Sequence, residues 1–172
     1  LVAVLILPAM VPYVGSLQPN GHDALEYLPR VTEFHEHIRH GILLPRWAPD
    51  LSSGQGQPLF LLNPPLFYYA TELFHLAGLA FIPAMNAACV LFILASAAAM
   101  FLLGRWYFGA AGGVIAAIAY VYAPYVLVDL YVRMAFAEFS AFPFYPLAIY
   151  GFARHAESRR GAHLLIGIAA YA

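Results

Sequence analysis

The 172-residue sequence has no lysine, a single cysteine and few charged residues of any kind. Charged side chains make up 10% of it, against about 25% in an ordinary soluble domain. None occurs in residues 73–104, 106–128 or 139–153. Polar surface cannot cover runs of this length, so a water-soluble globular domain is nearly excluded, and a disordered chain is excluded. The lone cysteine excludes a disulfide-stapled secreted domain, and a net charge of −1 offers no basic surface for nucleic acid.

Hydrophobic residues, at 63% of the chain, are instead gathered in long segments. These segments predict transmembrane helices at 1–17, 84–104, 108–128 and 139–153, and a partial helix at 162–172. The first and last segments are shorter than the roughly 20 residues that cross a bilayer. We therefore interpret the chain as a single membrane domain, residues 1–172, truncated at both ends.

The distribution of arginine predicts the orientation of these helices. Arg154, Arg159 and Arg160 form the densest basic cluster, which is typical of a cytoplasmic turn. Counting back through the predicted helices places residues 18–83 outside the cytoplasm. Residues 64–80 are then a juxtamembrane helix in the interface rather than a span, with Tyr68 and Tyr69 at the level of the lipid headgroups.

The polar stretch 18–83 begins with an amphipathic helix that the pattern extends to about His40, with Gly41 as its C-cap. Proline at position 29 predicts that this helix starts at Leu28 or kinks there. Its apolar stripe consists of Leu28, Val31, His35, Ile38 and Ile42. The other polar residues, Glu33, Glu36, His37 and His40, indicate a solvated face rather than a metal cluster, because residues two apart lie about 200° apart around a helix. Residues 44–58, rich in proline and glycine, predict an ordered irregular loop.

Asp23 is the first candidate site residue, because it directly follows the first apolar segment. A carboxylate there can accept a proton from an acceptor hydroxyl or bind Mg²⁺ or Mn²⁺ through oxygen. The structural alternative is a helix N-cap, which contributes about 1 kcal/mol. The neighbouring His22 either orients Asp23, binds phosphate, or is simply an interfacial polar residue.

Arg133 and Glu138 are further candidates, because they lie between two predicted membrane helices on the outer side. Arginine binds lipid phosphate through paired donors. The alternative is a structural ion pair, with Asp129 as another partner for Arg133. Arg46 and Trp47 have the residue types to contact sugar or phosphate, but tryptophan is also a common interface anchor.

The motifs in this order resemble the N-terminal part of bacterial multi-spanning proteins of the GT-C glycosyltransferase superfamily. The nearest branch is the YfhO-like and "6-pyruvoyl-tetrahydropterin synthase-related" membrane proteins, although nothing in this chain resembles a three-histidine pterin site. The motifs that carry the resemblance are His22-Asp23, Pro45-Arg46-Trp47-x-Pro49, Gly54-x-Gly56-x-Pro58, Pro64-Pro65-Leu66-x-Tyr68-Tyr69 and Tyr131-x-Arg133 followed by Glu138.

The resemblance implies an all-α, polytopic helix bundle of the bacterial inner membrane with a long first extracytoplasmic loop. It implies transfer of a sugar from a polyprenyl-phosphate donor to a lipid or cell-envelope glycan. Asp23 matches the family's acidic residue, which acts as catalytic base or as ligand of a divalent metal, Mg²⁺ or Mn²⁺. We assign substrate binding to His22, Arg46, Arg133 and Glu138. The alternatives are a lipid-linked sugar flippase or transporter and a non-catalytic membrane subunit.

Overall fold

A computed structural model describes residues 1–15 and 20–171 of the chain. The regular structure in these ranges is helical with no strand, which confirms the all-α class; an isolated bridge pairs Ala48 with Gln57. The chain divides into two compact units. Unit 1 contains Leu1–Val11, Val90–Leu127 and Ala141–Ala172, and unit 2 contains Pro12–Cys89 and Val128–Ser140.

Short helical pieces open the chain and lie between the long helices. The elements in order are α1 (Val2–Leu5), α2 (Leu7–Met10), a 3₁₀ turn (Val11–Tyr13), α3 (Ala24–Arg39), α4 (Leu51–Gly54), α5 (Leu59–Leu62), α6 (Leu66–Leu76), α7 (Phe81–Val121), α8 (Pro124–Leu127), a π-helix (Val128–Arg133), α9 (Phe136–Phe139), α10 (Phe144–Ser158) and α11 (Gly161–Tyr171).

Helix α7 reverses direction at Gly109, whose φ of 72° and ψ of −174° are accessible to glycine almost alone. A Cβ placed on Gly104 would lie 2.7 Å from the Cβ of Ala116. In a straight helix, residues twelve apart are about 18 Å apart. The arms 81–108 and 110–121 therefore pack against each other through small residues. The predicted turn between residues 104 and 108 is wrong by a few residues, because the left-handed glycine that allows the reversal is at position 109.

Among the described residues, α7 is the one helix long and apolar enough to cross a membrane, with a mean hydropathy of 2.4 in its most apolar window. The segment predicted at 139–153 forms α10, which begins five residues later because Pro143 occupies its N-cap. The segment 1–17 is broken at Ile6, two residues before Pro8, which has no N–H for the carbonyl of Val4. Its last two residues lie outside the described ranges. The multi-spanning bundle stays a prediction.

Small residues also bring α10 and α11 together in unit 1. A Cβ on Gly151 would lie 2.3 Å from the backbone nitrogen of Gly167, so only glycine permits this approach. Many large apolar side chains of unit 1 point outward; Phe108 is 75% exposed and Ile115 is 67% exposed. Others, such as Ile93 and Phe142, are buried, but the closest helix contacts of this unit are made by small residues.

Unit 2 has an aromatic core between α3, α6 and α9. The ring of Tyr27 lies 4.8 Å from that of Phe136, and Phe34 stacks on Tyr68 at 5.6 Å. Tyr68 is completely buried in the protein, so it is a core residue rather than an exposed interface anchor; the level of α6 in the membrane stays a prediction. The aromatic side of α6 faces α3, and Tyr68 fills the space between the two helices.

The predicted amphipathic helix is present as α3, but its buried stripe differs from the prediction. Tyr27, Val31 and Phe34 are buried, whereas Leu28 and Ile42 are more than one-third exposed. The helix starts at Ala24 and contains Pro29.

The C-terminus of α3 is confirmed. Gly41 has a φ of 79°. The N–H of Gly41 donates a hydrogen bond to the carbonyl of Ile38, and the N–H of Ile42 donates one to the carbonyl of His37. These two bonds form a Schellman motif.

Candidate functional site

The segment before α3 is joined to the end of the π-helix by main-chain hydrogen bonds. The N–H of His22 donates to the carbonyl of Val132 at 2.9 Å, and the N–H of Asp23 donates to that of Arg133 at 3.1 Å. A Cβ on Gly21 would lie 2.4 Å from the side chain of Met134, so a larger residue would disturb this junction. Asp23 and Arg133, distant in sequence, are therefore neighbours in unit 2.

Two carboxylates hold the guanidinium of Arg133. Its Nη1 donates to Oδ1 of Asp129 at 2.6 Å, and its Nη2 donates to Oε2 of Glu138 at 2.9 Å. Met134 adopts a φ of 56°, which ends the helix and reverses the chain, so that Glu138 comes back to Arg133. The ion-pair alternative is thus observed for both acids. The side chain of Arg133 nevertheless remains 42% exposed.

Asp129 is fully buried, and its Oδ2 has no hydrogen-bond partner among the described residues. The pKa of Asp129 is raised to about 6. Burial is the largest cause, and the charges of Glu138 and Asp23 also raise the pKa, whereas the charge of Arg133 lowers it. Asp129 and Glu138 thus contact one guanidinium, and Asp23 is joined to Arg133 through the main chain and acts on the pKa of Asp129. We name these four residues the acid–arginine cluster.

Asp23 occupies the N-cap position of α3, but its side chain makes no capping hydrogen bond. The stabilisation of about 1 kcal/mol that a capping aspartate contributes is therefore not used here. The residue is partly exposed. The Asp23 side chain thus has no capping task in α3, and the main chain of Asp23 is joined to that of Arg133.

The other predicted site residues are placed less centrally. His22 is exposed next to Asp23. Arg46 is exposed on the 44–58 loop, and no ion pair of the described residues includes it. The indole of Trp47 packs against Gly56, since a Cβ on Gly56 would lie 2.4 Å from the indole nitrogen. Trp47 therefore makes a contact within this loop. The structure brings Asp23, Arg133 and Glu138 together, with His22 at the edge.

Two residues of α3 that the sequence analysis did not select lie near Asp23. Tyr27 accepts a hydrogen bond from the N–H of Ala137 at 3.0 Å, and the guanidinium of Arg30 lies 5.4 Å from the Tyr27 ring. Arg30 also forms an ion pair with Glu26. Tyr27 and Arg30 follow Asp23 by four and seven residues, and these spacings put residues on one face of a helix. The helical periodicity alone is therefore enough to select these two residues from the sequence.

A small cleft lies along this part of unit 2, between α3 and the loop that follows α4. Its volume is about 310 Å³, and both polar and apolar side chains line it, including Glu26, Arg30, Ser52 and Gln57. The cleft is open to the outside and contains groups that can hydrogen-bond a polar ligand.

The prediction of a solvated face is wrong at Glu33, and His35, which the prediction puts in the apolar stripe, makes a polar contact. His35 Nδ1 lies 3.0 Å from both carboxylate oxygens of Glu72, which is buried in α6. Glu33 is also buried and accepts a hydrogen bond from the N–H of Asp50 at 2.6 Å. These polar residues join α3 to its neighbours. A single sequence does not show which residues distant in the chain will be their hydrogen-bond partners.

The described residues form no preformed site for the predicted divalent metal. Within residues 1–15 and 20–171, no group of three or more His, Cys, Asp or Glu side chains is arranged to hold a metal ion. Metal dependence, with Asp23 as ligand, stays a prediction.

Comparison of the chain with protein-family models, with curated proteins and with solved structures finds no match. The resemblance to GT-C glycosyltransferases therefore rests on the sequence motifs alone.

Proposed function

We propose that the chain belongs to a membrane glycosyltransferase that moves a sugar from a polyprenyl-phosphate donor to an extracytoplasmic acceptor. The observation that carries the proposal is the junction of Asp23 with Arg133, where a main-chain hydrogen bond of 3.1 Å joins the two residues. The apolar hairpin α7 and the outward-facing large side chains of unit 1 support a membrane location.

In the proposed reaction, Asp23 accepts the proton of the acceptor hydroxyl. The acceptor oxygen forms a bond with the anomeric carbon of the sugar, and the bond from that carbon to the phosphate oxygen breaks. The exposed part of Arg133 stabilises the negative charge that develops on the departing phosphate. Glu138 orients Arg133 through its ion pair of 2.9 Å. His22, exposed beside Asp23, contacts the donor or acceptor.

A second candidate function is transport of a lipid-linked sugar across the membrane. One observation favours it: Asp129 and Arg133 lie in a helical stretch interrupted after Val121 and converted to π-helix at Val128–Arg133. Interrupted helices with charged residues are typical of transporter binding sites.

The test is Asp23→Asn in the protein expressed in its own membranes and supplied with labelled polyprenyl-phosphate sugars. We expect transfer to fall by a factor of about 10² to 10⁴ at normal expression, as for loss of a general base. Glu36→Gln, on the exposed face of α3 where Glu36 pairs with Arg39, is the matched control and should retain transfer.

Undiminished transfer by Asp23→Asn would remove Asp23 from the mechanism. Movement of the labelled lipid between leaflets without any transfer product would favour the transporter. Repeating the assay with a chelator and with added Mg²⁺ or Mn²⁺ tests the predicted metal dependence.

A further inference from the structure

The cleft of unit 2 between α3 and the loop that follows α4 has a lining that suits an uncharged polar ligand. Its polar residues are Glu26, Arg30, Ser52 and Gln57. The one positive and the one negative charge cancel, so the lining has no excess charge that would favour an anion or a cation. A carboxylate, a guanidinium, a hydroxyl and an amide together offer a ligand several hydrogen-bond donors and acceptors.

Apolar side chains complete the lining of this cleft, namely Leu25, Pro29 and Leu51. A sugar ring needs both kinds of partner, because its hydroxyl groups form hydrogen bonds and its C–H groups pack against apolar surface. The volume of about 310 Å³ lies at the lower end of the range of roughly 300–1,000 Å³ that is usual for ligand sites. The cleft therefore has room for one sugar unit and not for an oligosaccharide.

Arg30 is held in position on the α3 side of the cleft before any ligand binds. It forms an ion pair with Glu26, its guanidinium lies 5.4 Å from the centre of the Tyr27 ring, and its side chain is 16% exposed. The Glu26 side chain is 60% exposed, so its carboxylate is open to a ligand. A side chain that is already fixed loses little conformational freedom on binding, which favours affinity.

The opposite side of the cleft is also fixed. The main chains of Ala48 and Gln57 exchange two hydrogen bonds, of 2.8 and 3.0 Å. Buried Glu33 on α3 accepts the N–H of Asp50 at 2.6 Å, which ties the loop to the helix. Ser52 has a left-handed φ of 55°, and its hydroxyl donates to Oε1 of Gln57 at 3.3 Å. Strained backbone of this kind is concentrated at ligand sites.

The cleft begins about one helical turn from Asp23 of the acid–arginine cluster. Glu26 and Arg30 follow Asp23 by three and seven residues, which corresponds to a rise of about 4.5 Å and about 10 Å along a helix. A glycan whose reacting hydroxyl lies at Asp23 therefore has its next sugar unit within reach of the cleft.

We propose that this cleft binds one uncharged sugar unit of the acceptor glycan. The residues that bind it are the four polar residues of the lining, Glu26, Arg30, Ser52 and Gln57. Binding of a sugar depends on the cleft alone. Its assignment to the acceptor rests on the proposed function, because it requires that the acceptor hydroxyl reacts at Asp23.

The experiment measures binding of the methyl glycosides of glucose, galactose and mannose to the protein in nanodiscs, by saturation-transfer NMR. We expect at least one of them to bind with a dissociation constant on the order of 1 mM. Inorganic phosphate at the same concentration should not displace the glycoside, since the lining has no excess positive charge.

Two variants locate the bound glycoside. Gln57→Ala should weaken binding by a factor of about 2 to 10, as for the loss of one hydrogen bond. Gln55→Ala, in the same loop but outside the described lining of the cleft, is the matched control and should leave binding unchanged. Ser52→Gly removes the hydroxyl and keeps the left-handed backbone without strain. It should weaken binding by a similar factor, whereas a purely structural role for Ser52 predicts no loss.

The binding results decide whether the cleft is a sugar site. Absence of saturation transfer from all three glycosides, displacement by phosphate, or binding that neither Gln57→Ala nor Ser52→Gly weakens overturns it. None of these results changes the outcome of the Asp23→Asn test, so the proposed function is judged separately.

Addition of the bound glycoside to the sugar-transfer assay decides whether the sugar belongs to the acceptor. A glycoside in an acceptor site receives the label itself, or it inhibits transfer in a way that more labelled donor does not overcome. Inhibition that more donor overcomes, or no effect on transfer, overturns the assignment to the acceptor. Binding of the glycoside without transfer by the unaltered protein overturns the proposed function and leaves the cleft a sugar site.

Discussion

Unit 1 and unit 2 differ in the side chains that make their closest helix–helix contacts. In unit 2, the rings of Tyr27, Phe34 and Tyr68 are almost completely buried. In unit 1, large residues such as Phe108 and Ile115 face outward, and glycine pairs such as Gly151 and Gly167 form the contacts inside. Burial of large apolar surface is the main driving force for folding in water, whereas close packing of small residues is typical of helices in lipid.

Acidic residues and arginines are also distributed unequally between the two units. Unit 2 contains eight of the nine acidic residues and four of the eight arginines, whereas unit 1 contains one acidic residue and four arginines. An arginine excess is typical of the cytoplasmic ends of membrane helices, and acidic residues have no such preference. The arginine excess of unit 1 is the distribution that the proposed membrane location predicts for that unit.

Truncation of one phenylalanine in each unit gives the largest expected difference. Phe34→Ala should lower the free energy of unfolding by about 3–5 kcal/mol, because it leaves a cavity in the aromatic core of unit 2. Phe108→Ala, at a site 75% exposed in unit 1, should cost less than about 1 kcal/mol. Denaturant titration in mild detergent measures both. Equal losses would contradict the placement of Phe34 in the core of unit 2 and of Phe108 on the surface of unit 1.

Introduction of a charge at an exposed apolar site gives the next largest difference. Ile115→Lys on α7 should reduce membrane insertion by about 2.5–3.5 kcal/mol if its exposed face meets lipid. Leu44→Lys, 75% exposed in unit 2, should change stability by no more than about 0.5 kcal/mol. The measurements are the inserted fraction after translation into microsomes and the yield of folded protein. Tolerance of lysine at both positions would argue that water, not lipid, covers unit 1.

The sequence predicts the helical class and the C-terminal end of α3 well, because periodicity and a terminal glycine are local signals; the predicted start at Leu28 is wrong, since α3 begins at Ala24. It does not predict which side of α3 is buried. Leu28 and Ile42 make one apolar stripe, and Tyr27 and Phe34 make another. The aromatic residues of α6 decide between these stripes, and their position is a tertiary property.

The candidate site was partly predictable for similar reasons. Asp23 and Arg133 were selected from their positions at the ends of apolar segments and from the resemblance. The sequence leaves the ion pair of Glu138 with Arg133 as one of two alternatives and does not decide between them, because the residues between the two, including Met134 in its left-handed conformation, determine whether their side chains meet. Methionine at that position gives no sign of this conformation, unlike the glycine at position 109.

The most direct test of the account is a double-mutant cycle on sugar transfer with Asp23→Asn and Arg133→Gln. Residues that act as one unit in catalysis have strongly non-additive effects. The account predicts that each single variant loses most of the transfer activity and that the double variant loses little more than the worse of the two. Independent effects, in which the factors of the two single variants multiply, would contradict the claim that Asp23 and Arg133 form one site.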